Sequence, residues 1–197
     1  MTSTLKAGWY YDVVGSSGGQ RWWDGQRWTE RYQAARPTAS NKTSTAGDGG
    51  RRWKLIEGAP VAATPATLLR YAQALGHPLY WIGPYEEYTY ELSESAGHEI
   101  YIRYLPPGVE LGDPSTAYTT IGTYLVPNAY ETLQARVERG ELESEDISTD
   151  GIAFWDVERP TSIYMAYPDF PFLVEVYDPD PEHAHRIACS DEVEPVR

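Results

Sequence analysis

The sequence predicts an α+β protein in which a small Trp-rich β-hairpin module is joined by a flexible linker to an antiparallel sheet with helices packed on one face. Three observations support this fold class. Short aromatic runs separated by turn residues occupy residues 7–32, residues 33–59 lack a hydrophobic period, and residues 60–197 alternate helical with strand patterns. We therefore expect a β module at 7–32, a linker at 33–59 and an acidic α+β domain at 60–197.

Charge and cysteine content restrict the class of protein. The 197 residues carry a formal net charge of −13 and one cysteine, Cys189, which excludes an intrachain disulfide. Nine basic and five acidic residues give the first 60 residues a charge of +4, whereas seven basic and twenty-four acidic residues give 61–197 a charge of −17. Because such a body repels nucleic acid, we do not expect that partner for it.

The chain also lacks the usual targeting segments. Its first residues contain no apolar core typical of a signal peptide, and no segment approaches the roughly 18 apolar residues of a membrane span. We expect a cytoplasmic protein without a transmembrane segment. The oligomeric state is left open.

The amino-terminal module is predicted from aromatic runs around a turn. Asp24-Gly25 between two such runs is a tight-turn signal, and we expect two or three very short strands. A unit of this size has little else apolar to bury, so three tryptophans are expected to form its core: Trp9, Trp23 and Trp28. The neighbouring residues suit contact with a proline-rich peptide, a sugar or a base: Tyr11, Trp22, Arg21 and Arg27.

This module resembles a short Trp-rich actinobacterial domain of unknown function, whose order is Gly-Trp-Tyr, a Gly-rich gap, Trp-Asp-Gly, two residues and Trp-Thr. The matching residues are Gly8, Trp9, Tyr10, Asp12, Arg21, Trp23, Asp24, Gly25, Trp28 and Thr29. The family usually has proline on both sides of the first Asp, where this chain has Tyr11 and Val13. The resemblance implies a bacterial source and a module often appended to membrane or envelope proteins, but no activity.

Residues 33–59 are rich in Ala, Ser, Thr and Gly and predict a flexible linker. Arg51-Arg52-Trp53-Lys54 forms a short basic patch near its end. Three charges are few for a nucleic-acid or lipid site, so docking of this patch onto the acidic body is the favoured interpretation.

The body begins with a helix marked by Thr64 as N-cap, Pro65 at the first position and Gly76 as the stop. The remaining predicted elements are strands at 79–82, 88–93 and 100–104, a strand at 116–125, a helix at 128–139, an acidic loop at 141–150, strands at 152–157, 162–167 and 172–177, and a short helix from Asp180-Pro181 to about Cys189.

The densest strand signal is the hairpin between Pro78 and Pro107, in which apolar and polar residues alternate. The alternation predicts one buried face and one wet face. The wet face supplies the candidate partner contacts of the body: Glu87, Glu91, Tyr101 and Arg103. Alternatively, Arg103 neutralises Glu87 or Glu91 across the strands.

The two halves of the body are similar in sequence. A Tyr80-Trp81 pair and a Phe154-Trp155 pair each follow a helix and precede a hairpin, which suggests an α-β-β-β duplication. Three short segments of the body are similar to segments of uncharacterised proteins from the same bacterial group: Tyr-Trp-Ile-Gly-Pro, Arg-Tyr-Leu-Pro-Pro-Gly and Ile-Gly-Thr-Tyr. This similarity implies no function.

The sequence contains no phosphate loop, nucleophile elbow or metalloprotease motif. His185 and Cys189 are four apart on the last helix, which permits a Cys–His pair or half of a metal site. Inward packing of Cys189 explains the same spacing. No catalytic residue, metal or cofactor is therefore predicted.

These features favour a non-enzymatic binding protein, in which the Trp-rich module acts as an adaptor tethered to a protein-interaction domain. Two alternatives stay open. One is a small-ligand binder or motif-less enzyme with a Tyr-lined pocket in residues 60–197, and the other is a structural component of a phage or cell envelope that assembles through the sheet edge.

Overall fold

The computed structural model describes residues 8–11, 20–24, 28–33, 60–95, 97–148 and 150–197. Three strands of the module, β1 (Gly8–Tyr11), β2 (Gln20–Trp23) and β3 (Trp28–Gln33), pair antiparallel in that order. The predicted turn residue Gly25, the candidate contact Arg27 and the linker from residue 34 to 59 lie outside the described ranges.

From residue 60 onward, the described chain contains three helices and ten strands. The helices are α1 (Pro65–Leu75), α2 (Ala129–Glu138) and α3 (Pro181–Cys189). The strands are β4 (Val61–Ala63), β5 (Tyr80–Trp81), β6 (Thr89–Glu94), β7 (Ile100–Leu105), β8 (Thr120–Leu125), β9 (Glu143–Ile147), β10 (Gly151–Trp155), β11 (Ser162–Ala166), β12 (Phe172–Tyr177) and β13 (Glu194–Pro195).

Eight of these strands form one antiparallel sheet in the order β4-β6-β7-β8-β12-β11-β10-β9. The two halves of the chain meet at β8 and β12, where Ile121 lies opposite Val176 and Thr123 opposite Val174. A separate two-stranded sheet pairs β5 with β13. A large antiparallel sheet with three helices confirms the α+β class.

The first helix ends where the sequence predicts. The Thr64 side chain accepts a hydrogen bond from the Thr67 amide at 3.2 Å, and Pro65 occupies the first turn. Gly76 terminates the helix at φ 73°, a left-handed conformation that glycine adopts without steric cost. None of the helices in the described ranges has the length and apolarity needed to cross a bilayer.

The predicted hairpin is present as β6 and β7, with Tyr90 opposite Tyr104 and Leu92 opposite Ile102. These four side chains are buried on one face of the sheet. The alternation therefore identifies these core-facing residues correctly, whereas Tyr88, which continues the same period, is 39% exposed.

Helices cover both faces of the large sheet, so the expectation of helices on one face is wrong. On one face α1 and α3 contribute buried residues to a cluster with Ile102, Ile121 and Val174, while on the other α2 packs near Tyr124, Phe154 and Leu173. Consecutive residues of the central strands, such as Leu173 and Val174, are both fully buried at 0% exposure. Apolar side chains on both faces require cover on both faces.

The acidic run predicted as a loop at 141–150 contains an edge strand, β9, which pairs with β10. Four of its five residues are exposed and only Ile147 is buried, so it gives no alternating hydrophobic signal. Charged side chains on an edge strand deter pairing with another sheet, which accounts for acidic residues at this position.

The predicted α-β-β-β duplication that aligns Trp81 with Trp155 is also wrong. Trp155 lies in β10 of the large sheet, whereas Trp81 lies in β5 of the two-stranded sheet. The helices preceding these strands, α1 and α2, contribute to cores on opposite faces. The Tyr80-Trp81 and Phe154-Trp155 pairs therefore do not occupy equivalent positions, although the strand order is symmetric about the β8–β12 pairing.

Candidate functional site

The wet face predicted on the hairpin is covered by the following loop. Glu91 is only 2% exposed, and its carboxylate accepts hydrogen bonds from Arg103 Nη1 at 2.6 Å and from the Gly112 amide. Arg103 Nη2 donates to the carbonyls of Asp113 and Ser115, each at 2.9 Å. The prediction of an open partner surface is wrong at Glu91 and Arg103, and the alternative, cross-strand neutralisation, is confirmed.

The other two residues of that predicted surface are placed apart from this ion pair. Tyr101 is half-buried, and its ring meets that of Tyr124 edge-on, with centroids 5.8 Å apart. Glu87 is exposed in the turn before β6 at φ 66°. The four residues do not form one exposed surface, because only Glu87 is exposed.

For the candidate contacts of the module, the structure describes backbone positions and a few side chains. Tyr11 ends β1 opposite Gln20, and Arg21 lies in β2 opposite Tyr10. Trp22 is half-buried, and its carbonyl accepts a hydrogen bond from Thr29 Oγ1 at 3.0 Å. The structure does not describe the side chains of Trp9, Trp23 and Trp28, so the predicted tryptophan core stays a prediction.

Exposed tyrosines mark the loop between β5 and β6. Tyr85 and Tyr88 are 37% and 39% exposed, and their rings lie 5.7 Å apart. Two buried tyrosines, Tyr90 and Tyr104, bind the backbone of this loop through their hydroxyl groups. Tyr90 Oη accepts from the Tyr85 amide at 2.9 Å, and Tyr104 Oη accepts from the Ile82 amide at 2.9 Å and donates to the Gly83 carbonyl at 3.1 Å.

A second group of aromatic residues lines an open cleft of about 300 Å³, here called the aromatic cleft, formed by Tyr80, Tyr167, Pro168 and Phe170. The Phe170 ring stands perpendicular to both tyrosine rings, with centroids 6.4 Å from Tyr80 and 6.0 Å from Tyr167. Edge-to-face packing of this kind is favourable for aromatic rings.

The elements around the aromatic cleft fix its rings. The Tyr80 amide donates to Thr123 Oγ1 at 3.1 Å, which ties β5 to the centre of the large sheet. Tyr167 follows β11 beside Gly151 of β10, where a Cβ atom would lie 2.5 Å from the Tyr167 ring. Gly151 therefore provides the space that the Tyr167 side chain occupies.

The Tyr80 hydroxyl is neutral at physiological pH. Burial, and secondarily the neighbouring Tyr167, raise the pKa of Tyr80 to about 12. A neutral phenol serves as a hydrogen-bond donor and acceptor. It does not serve as a base near pH 7, because the ideal catalytic pKa lies near the operating pH.

The His185–Cys189 contact that the helical spacing permits is present and has a third partner, Glu145. Cys189 Sγ lies 3.8 Å from His185 Nε2, and the same nitrogen lies 3.2 Å from Glu145 Oε2. Burial, and secondarily Glu145, raise the pKa of Cys189 to about 11. The thiol is protonated at neutral pH, which argues against an activated nucleophile.

Local sequence patterns do not identify the residues of the aromatic cleft or Glu145 as site residues. The sequence pattern places Tyr80 in a strand, Tyr167 at the end of another, and Pro168 and Phe170 between two strands. Glu145 lies in the acidic run predicted as a loop. Nothing in the local pattern relates Tyr80 to Tyr167 and Phe170, or Glu145 to His185 and Cys189, because the fold brings them together over long sequence separations.

Comparison with known proteins concerns the amino-terminal module. A family model described as "Protein of unknown function (DUF2510)" matches residues 7–41. The match agrees with a module of unknown function at this end of the chain. No curated protein and no solved structure shows significant similarity to the chain.

Proposed function

We propose that the chain is a non-enzymatic binding protein whose body contacts a protein partner through the aromatic cleft. The observation that carries this proposal is the arrangement of Tyr80, Tyr167 and Phe170 as perpendicular rings around an open depression of about 300 Å³. Aromatic-lined grooves of this type accept proline or aliphatic side chains of extended segments.

The chemistry of the lining favours binding over catalysis. The residues that line the aromatic cleft are two tyrosines, a proline and a phenylalanine, so they supply no carboxylate, imidazole or thiol. Tyr80, with its raised pKa, offers a neutral hydroxyl to a backbone carbonyl or amide of the partner. The charge of −17 over residues 61–197 favours a partner with a basic surface and steers its approach.

In this proposal the amino-terminal module is the second contact. A tethered module raises the effective concentration of the body at a shared target, which increases avidity without new contacts in the body. Its candidate contacts remain those predicted from the sequence: Tyr11, Trp22, Arg21 and Arg27. The actinobacterial source and cytoplasmic location are also proposals, and fractionation of such cells with an antibody to the chain tests both.

Capture from an actinobacterial extract tests the proposed cleft. Full-length wild type, Phe170→Ala and Val157→Ala are immobilised in parallel, and recovered proteins are compared by mass spectrometry. Val157 is 65% exposed and does not line the aromatic cleft, so it is the matched surface control. We expect a protein recovered by wild type and by Val157→Ala to bind Phe170→Ala at least about tenfold more weakly, as for a buried interface anchor.

Equal recovery by all three proteins would refute the role of the aromatic cleft. Unfolding of Phe170→Ala is monitored by circular dichroism, and Tyr80→Phe, which retains the ring, then tests the hydroxyl alone. Capture by a variant lacking residues 1–35 measures the contribution of the module separately.

A small-ligand binder is the second candidate, because the aromatic cleft also offers stacking surfaces to a flat ring in a depression of about 300 Å³. Native mass spectrometry of the full chain after incubation with a cell extract distinguishes the two. A retained small-molecule mass that Phe170→Ala abolishes, together with no captured protein, would replace the protein-partner proposal.

The sheet edges weigh against the assembly alternative. One edge strand, β4, spans three residues, and the other, β9, carries four exposed residues of which three are acidic. Short and charged edges oppose strand addition. We therefore expect sedimentation to give the same mass at every protein concentration. A mass that increases with concentration would support the assembly alternative.

A further inference from the structure

Three side chains with different metal-binding atoms converge at one end of α3. Glu145 extends from β9, and His185 and Cys189 extend from successive turns of α3. Their ligand atoms all lie within 4.8 Å of one another. They combine a carboxylate oxygen, an imidazole nitrogen and a sulfur, which is a different arrangement from a cluster of acidic residues.

The spacing of these atoms agrees with coordination of one metal ion. Bond lengths of about 2.3 Å to sulfur and about 2.0 Å to nitrogen and oxygen, at tetrahedral angles, place sulfur about 3.5 Å and oxygen about 3.3 Å from the nitrogen. In the structure, His185 Nε2 lies 3.8 Å from Cys189 Sγ and 3.2 Å from Glu145 Oε2. The sulfur and the carboxylate oxygen lie within 4.8 Å of each other, compared with about 3.5 Å for two ligands at tetrahedral angles, so rotation of the exposed Glu145 side chain would close the set around an ion.

The backbone around these ligands is held by packing. Ala184, Ile187 and Ala188 anchor α3 in the core with 0% exposure, and Ile147, two residues from Glu145 on the same side of β9, is buried in the same cluster. The His185 ring meets the Trp155 ring edge-on, with centroids 5.0 Å apart. Two ligands on a docked helix and one on a paired strand form a preorganised set.

We propose that Glu145, His185 and Cys189 form a Zn²⁺ site whose fourth position is open to a water molecule or an external ligand. Thiolate and imidazole select zinc over magnesium and calcium, which prefer oxygen ligands. Three protein ligands with an open position are the pattern of accessible zinc sites. The half-exposed position of His185 and the exposed Glu145 leave that fourth position accessible to solvent.

Cobalt substitution tests the site in the full-length protein. The protein is freed of metal with a chelator, dialysed and titrated with Co²⁺, which is then displaced by Zn²⁺. We expect one equivalent of Co²⁺ to produce thiolate-to-cobalt charge-transfer absorption in the near ultraviolet and a tetrahedral visible spectrum. Zn²⁺ is expected to abolish both signals stoichiometrically, because it binds such donor sets more tightly than Co²⁺.

The variants identify the ligands. Cys189→Ser should remove the charge-transfer band, and Glu145→Gln should weaken Zn²⁺ binding by more than about tenfold, since even outer-shell changes cost that much. Glu143→Gln is the control, because Glu143 lies on the same strand two residues away but outside the cluster. Glu145 is exposed, so its variant tests the site even where Cys189→Ser disturbs folding.

The proposal is overturned by any of three results. These are the absence of saturable Co²⁺ and Zn²⁺ binding, a cobalt spectrum without a thiolate band, and equal Zn²⁺ affinities for wild type, Glu145→Gln and Cys189→Ser.

Discussion

At the scale of single residues, polar groups inside the body are mostly paired with groups from distant parts of the chain. Glu91 and Arg103 hold the loop at 112–115 to the sheet, and Tyr104 satisfies the backbone of Ile82 and Gly83. A buried polar group without a partner is costly, so these contacts determine where each loop lies. Two predictions belong to this scale.

The first prediction concerns the Glu91–Arg103 ion pair, whose side chains are 2% and 18% exposed. Arg103→Met should lower the free energy of unfolding by roughly 3 to 5 kcal/mol, because it leaves the Glu91 carboxylate buried without its cation. Arg103→Lys should also destabilise, since an ammonium cannot reproduce the contacts to two carbonyls and a carboxylate. Urea denaturation measures each change.

A double-mutant cycle with Glu91→Leu provides the control for this pair. The double variant should be less destabilised than the sum of the two single variants, because it removes both charges together. Additive effects would show that the pair does not act as a unit.

The second prediction concerns Glu99, which is 7% exposed and accepts a hydrogen bond from Ser95 Oγ. Burial raises its pKa from 4.5 to about 7, while its own backbone amide and His98 act in the opposite direction. Because the pKa of Glu99 is raised, the folded state binds more protons than the unfolded state between pH 4.5 and about 7. Stability from this group is therefore present below pH 4.5 and is lost as the pH rises through about 7.

Thermal unfolding of wild type and Glu99→Gln between pH 4 and 8 measures this effect. The variant should gain stability relative to wild type as the pH rises, by no more than roughly 3 kcal/mol. A difference that does not change with pH would show that Glu99 ionises normally in the folded protein.

At the scale of elements, small local features determine how strands and helices meet. Thr64 and Gly76 set the ends of α1, and the acidic residues of β9 protect one edge of the sheet. Gly151 at the start of β10 determines the position of Tyr167, and through it the shape of the aromatic cleft. One prediction belongs to this scale.

Gly151→Ala should displace the Tyr167 ring, because the new methyl group would lie 2.5 Å from it. We expect a loss of roughly 1 to 3 kcal/mol of stability, as for other overpacked sites, and weaker partner binding through the aromatic cleft. Removing the ring should relieve the clash. Tyr167→Ser should therefore cost less stability in the Gly151→Ala background than in wild type, and equal costs in both backgrounds would contradict the steric explanation.

At the scale of the whole molecule, charge and topology define the available surfaces. Residues 61–197 carry a formal charge of −17, and helices pack on both faces of the large sheet. The aromatic cleft and the Glu145–His185–Cys189 group both lie where separate elements meet, which is typical of binding sites.

The sequence by itself determined the α+β class, the ends of α1 and the core-facing residues of the β6–β7 hairpin. These features depend on local physics: capping groups, glycine at positive φ and the two-residue period of a strand. The same local rules predicted the acidic run as a loop, because an edge strand whose side chains face solvent has no alternation to detect.

The tertiary structure alone decided which residues meet. The hairpin period placed Glu91 on a polar face, but only the folding back of the loop at 112–115 shows that this face is buried. Likewise, Glu145 meets His185 and Cys189 because β9 joins the sheet edge beside α3. Such contacts arise from long-range packing of apolar faces, and sequence spacing carries no information about them.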